Sequence, residues 1–240
     1  MKAIRGFVLV ATTMFVAASA LRAEPEPSPA PTTWELTFKP SELQRITASD
    51  RSGRQRTYWY FIYRVVNNTG QDVDFLPVIE RVSEIDNEVP PDQAEKNPKA
   101  APQLLVDPAI TGIDPSVFRA IKQRYARTYP LLVSPVNVIG RIRQGLDNSR
   151  DSVAIFPELD PRVSRFTIYV GGLSGERTTR QNPMYKKPAS QTRTISSGED
   201  KNPPVFILQK TLAMPYTLPG DVNTRRNATP ALGRTTWVMR

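Results

Sequence analysis

A mainly β fold, with antiparallel sheets stacked as a sandwich, is what this sequence predicts, and three observations predict it. Trp59, Phe61, Tyr63 and Val65 alternate onto one face of a run whose other face carries Tyr58, Tyr60, Ile62 and Arg64, which is the period of a strand and not of a helix. Further strand-like runs recur at 34–38, 78–85, 165–170 and 205–212. With 23 Pro and 12 Gly among 240 residues, chain punctuation is dense enough to favour short strands and loops over long helices.

Neither Cys nor His occurs. Thiol nucleophiles, Ser/His/Asp triads, imidazole bases and nitrogen–sulfur metal sites are therefore excluded, while a carboxylate pair, a Ser/Lys pair or an oxygen-ligated calcium stays open. No disulfide can form, so a large apolar core has to carry stability. No cofactor and no metal are expected.

Lys2 and Arg5 precede an apolar stretch from Gly6 to Ala20, and Ala18-Ser19-Ala20 has the small-x-small pattern of a cleavage site. Residues 1–20 read as a secretory signal peptide, with a cut after Ala23 as the alternative. The apolar run is shorter than the roughly 20 residues needed to cross a bilayer, and no later stretch reaches that length. The expected location is periplasmic, cell-envelope or extracellular. The formal charge is +9; removal of Lys2 and Arg5 leaves 30 basic and 23 acidic residues, or +7, a balance that attracts polyanions.

Residues 21–33 read as a Pro-rich linker, extended and exposed, and 34–240 as a single sandwich domain. Trp34, Leu36 and Phe38 share a face of the first strand, which ends at Pro40. The polar stretch 41–57 is expected to be a mobile loop. Asn67, Asn68, Thr69 and Gly70 should turn the central strand into a hairpin in which Val73 and Phe75 pair back across it. The run 78–85 should continue that second strand past Pro77, and after an irregular excursion a short strand is expected at Gln103–Val106.

Asp114-Pro115 opens a helix of about three turns with Val117, Phe118, Ile121 and Tyr125 on one stripe and Arg119, Lys122, Arg124 and Arg127 around the rest. Residues 131–142 read as an interrupted strand, and Gly145–Asp151 as a turn-rich loop before a strand at 152–156. Asp147, Asn148 and Asp151 could ligate calcium, but their spacing is not that of an EF-hand and fits turn-capping Asx residues better. Trp237, Val238 and Met239 should form a closing strand.

Two candidate chemistries remain. Between Gly172 and Pro204 the chain is long, polar and basic, and Arg177, Arg180, Lys186, Lys187 and Arg193 are the candidate polyanion-binding residues; with Tyr185 their only aromatic neighbour, nucleic acid is disfavoured. Glu84, Asp86 and Glu88 alternate at strand spacing, and Asp72, Asp74 and Glu80 flank the central strand, so either group could supply the acid and base of a hydrolase, although alternating acids usually mark a wet strand face.

The combination of YWYFIYRVVNNTG with DFLP, GLDNSRDSVAIFP and RFTIYVGGLSGE resembles uncharacterised exported bacterial proteins, planctomycete-like, with an immunoglobulin-like sandwich. The resemblance spans most of the mature chain and implies no activity or site residues. The expectation is a mainly β, immunoglobulin-like antiparallel β-sandwich with one short packed helix and long loops, acting as a non-enzymatic secreted or envelope module. Its expected partner is an envelope protein or an acidic polysaccharide. A polyanion- or carbohydrate-binding protein using 177–193 is the alternative, and a carboxylate-dependent hydrolase the second.

Overall fold

The computed structural model describes residues 24–50, 52–85, 103–109, 115–185 and 203–240. Its centre is the 13-residue strand β3 (Gln55–Asn67), preceded by β1 (Thr37–Pro40) and β2 (Gln44–Ser49). Along one edge of β3 runs β8 (Gly145–Pro157), which places Phe61 opposite Ala154 and Arg64 opposite Asp151. The other edge is shared: β2 covers Gln55–Tyr60 and β1 covers Tyr63–Val66.

The second sheet runs β6 (Gln103–Pro108), β5 (Val78–Ile85), β9 (Val163–Gly171), β11 (Val205–Thr217), all antiparallel. Beyond the end of β9, β10 (Arg177–Gln181) takes over the same edge of β11. The short strands β12 (Ala231–Leu232) and β13 (Thr236–Met239) pair with its opposite edge. A two-stranded ribbon joins β4 (Val73–Phe75) to β7 (Gly140–Ile142).

The alternation in β3 dictates two cores. Trp59, Phe61, Tyr63 and Val65 face the second sheet and pack in one cluster with Phe156, Phe166, Ile168, Val170, Met214 and Tyr216. Tyr58, Tyr60 and Ile62 face the other way, onto the helix α1 (Pro115–Arg124), where Val117 and Ile121 are completely buried beside Leu132 and Ile155. The layers are therefore helix, sheet, sheet. The middle sheet is buried on both sides, which is why β3 is apolar on both faces, and each large side chain fully buried there contributes roughly 1.5–3 kcal/mol.

Several expectations are corrected. Val73 and Phe75 enter the inter-sheet core but pair with β7, not back across a hairpin; Pro77 then separates β4 from β5, which belongs to the other sheet. The stretch 41–57 is not a loop. Ile46 and Ala48 point inward from β2, and its hairpin to β3 closes on Asp50, whose carboxylate accepts from the Ser52 and Arg54 amides, with Gly53 at φ 82°. The expected loop 145–151 is the first half of β8, its Asp151 held in a bidentate pair with Arg64 at 2.6 and 2.8 Å. Of 131–142 only Gly140–Ile142 is a strand.

Other expectations stand. The helix, the strand at 103–108, the strand at 163–171 and the closing strand β13 all form where the residues suggest. Asp114 lies outside the described residues.

Candidate functional site

Of the expected basic site, only part is described. Arg177 and Arg180 lie on β10; three residues apart on a strand, they project to opposite faces, and Arg180 pairs with Glu24 at 3.4 Å. They make no single basic surface. Lys186, Lys187 and Arg193 lie outside the described residues. Among the acids, Glu84 meets Arg165 at 3.3 Å, Glu80 meets Arg240 at 2.5 Å and Asp74 meets Arg141 at 3.4 Å, so each faces a guanidinium and not a second carboxylate. Asp86 and Glu88 lie outside the described residues.

Two features that sequence reasoning missed stand out instead. The first is the outer edge of β6. Ala109 donates its N–H to the Ile79 carbonyl at 2.7 Å, which makes Ile79–Ala109 a hydrogen-bonded pair of the antiparallel ladder. Alternation then gives the same class to Arg81–Asp107 and Ser83–Leu105, and turns the N–H and C=O groups of Leu104 and Val106 away from β5. No described strand pairs with that side. The side chains there are apolar and accessible: Leu104 is 66 % exposed, Leu105 42 % and Val106 48 %. Native sheets usually blunt such edges with charge, proline or a bulge. Among the described residues of β6 the devices are Pro108 at the end of the strand and Asp107, whose charge is turned inward onto Arg81.

The second feature is a shallow cleft, about 20 Å³ of enclosed room, where the two sheets part at one end. Trp59, Val163 and Leu218, all buried, form its floor. Arg45, Arg225, Arg226, Glu158 and Asp160 stand around it. The Arg45 guanidinium lies 5.0 Å over the Trp59 ring and donates through Nη1 to the Arg226 carbonyl. Arg225 is held by the carbonyls of Gly220 at 2.8 Å and Arg162 at 3.1 Å. Asp160 is committed to Arg162, whose hydrogen bonds hold its carboxyl below the usual range. Among the described residues no carboxylate reaches ion-pair distance of Arg45 or Arg226.

No family model matches the chain, and no curated protein or solved structure matches it either. What the protein does must therefore be argued from these two surfaces.

A signal for the first was present in the sequence: Leu104, Leu105 and Val106 form a short apolar run with Pro108 behind it. The second had none, since Arg45, Trp59, Asp160 and Arg226 come from separate segments that only the fold brings together.

Proposed function

We propose that the protein is a non-enzymatic module of the cell envelope, exported by residues 1–20, with an immunoglobulin-like sandwich that assembles through the outer edge of β6. The observation that carries the reading is that edge: main-chain groups of Leu104 and Val106 directed outward between exposed apolar side chains. The occupant is a second copy of the chain.

Antiparallel pairing about a two-fold axis at Leu105 sets Leu104 of one copy opposite Val106 of the other. These are the outward-facing residues, so they exchange both hydrogen bonds. Leu105 meets its own symmetry mate, and Asp107 falls opposite Gln103, so no like charges are opposed. Joining the copies this way continues the larger sheet across the axis and removes both exposed edges at once.

Sedimentation velocity over a concentration series tests this. The wild-type protein is expected to dimerise, and Val106→Pro to be monomeric with an unchanged melting temperature, because proline removes an outward amide and leaves the ladder to β5 intact. A wild type that stays monomeric at high concentration, or a Val106→Pro variant that still dimerises, overturns the reading.

A further inference from the structure

The cleft at the end of the sandwich is independent of the β6 edge. We propose that it is a binding site for a small organic carboxylate, with Arg45 and Arg226 receiving the acid group and the apolar surface of Leu159, Pro161 and Leu218 receiving the carbon body. The enclosed room is only about 20 Å³, so the cleft itself takes the acid group and the carbon body lies across its mouth.

The geometry of Arg45 carries the inference. Its guanidinium rests over the Trp59 indole, with Nη1 beside the Arg226 carbonyl, so stacking on the ring places the head group before any ligand arrives. A guanidinium has five N–H donors, and the Nη1 bond to Arg226 is the only hydrogen bond that Arg45 makes from its side chain among the described residues. Its planar fork matches a carboxylate. The same carbonyl contact draws the short 3₁₀ turn Arg225–Asn227 against Arg45, which brings the exposed Arg226 side chain to the same cleft.

Positive charge dominates there because Asp160 is already neutralised by Arg162. Among the described residues that leaves Glu158 as the cleft's carboxylate without an ion-pair partner. Glu158 therefore opposes an anion, and this gives the proposal a second sign to check.

Isothermal titration of the purified protein with glucuronate, and with glucose as the uncharged counterpart, tests the site. Glucuronate is expected to bind and glucose not, with binding weakened by added salt. Arg226→Gln removes an exposed side chain that has no partner among the described residues, so it should leave the melting temperature unchanged while weakening glucuronate about tenfold or more. Glu158→Gln should strengthen binding. Equal response to the two sugars, no binding of either, or glucuronate affinity unmoved in Arg226→Gln would overturn the proposal.

Discussion

Among the described residues two cations are buried, each with its side chain 2 % exposed, and they are accommodated in opposite ways. Arg81 projects from β5 into the space between the sheets, on the same face as Ile79, Ser83 and Ile85. It has one carboxylate, Asp107 at 2.5 Å, together with the Pro157 carbonyl at 2.9 Å and the Phe156 ring at 5.4 Å. Its Nε and the nearby Ser83 Oγ have no hydrogen-bond partner among the described residues. Lys210 on β11 has two carboxylates, Glu35 at 3.0 Å and Glu176 at 3.4 Å, plus the Ser28 carbonyl at 3.0 Å and the Trp237 ring at 5.2 Å.

The difference teaches what each charge is for. Arg81 ties the β5–β6 pair to the end of β8 in the facing sheet, through the Pro157 carbonyl and the Phe156 ring. Lys210 ties the N-terminal segment and Glu35, which form no ladder with β11, to the entry of β10 and the closing strand, which do.

Breaking the Arg81 pair should have the largest effect. Asp107→Asn leaves a guanidinium with almost no access to water, and a loss of about 3–5 kcal/mol is expected in urea unfolding. Changing Arg81→Met together with Asp107→Leu should restore most of that loss, because no buried charge then remains. If Asp107→Asn were silent, the pair would be ornamental.

Lys210→Met should cost less, about 1–3 kcal/mol: the Oε2 atoms it strands are buried, but the Glu35 and Glu176 side chains are partly exposed and can turn toward water, and Glu176 still accepts from the Ser28 amide at 2.8 Å. The change should also raise the susceptibility of residues 24–33 to limited proteolysis, which Asp107→Asn should not do.

The smallest effect is one of pH. The Ser28 amide, chiefly, and Lys210 hold the Glu176 carboxyl below its ordinary value of 4.5. A depressed carboxyl contributes stability that is present above the ordinary value and fades as pH falls through the lowered one. Proteolytic release of 24–33 should therefore increase below about pH 4.5 in the wild type, and that increase should shrink in Glu176→Gln.

These two cations also show what was and was not legible in the residues. The period of two in β3 revealed both of its faces correctly, because alternation is local. The partner of β3 was not legible: Arg64 meets Asp151 across 87 residues, and nothing in a hairpin-like turn at Asn67–Gly70 announces that the chain will leave for another sheet. Strand β2 was missed because Ile46 and Ala48 are its only buried apolar positions between charged and hydroxyl residues. The first half of β8 was missed because Asp, Asn, Ser and Gly read as turn formers. Arg81 sits in a run whose charged residues suggest a wet face, yet Ile79 and Ile85 share its side. The stretch 24–33 is exposed for most of its length as expected, but Glu24 and Ser28 fasten it to the sandwich.

That fastening has a mechanical consequence. Ser28 is gripped at both its N–H and its C=O, by groups rooted at Glu176 and in β11. Tension applied upstream of the sandwich is therefore delivered to the middle of the larger sheet before it can reach β1, and the strand beside β3 is shielded from being peeled away first.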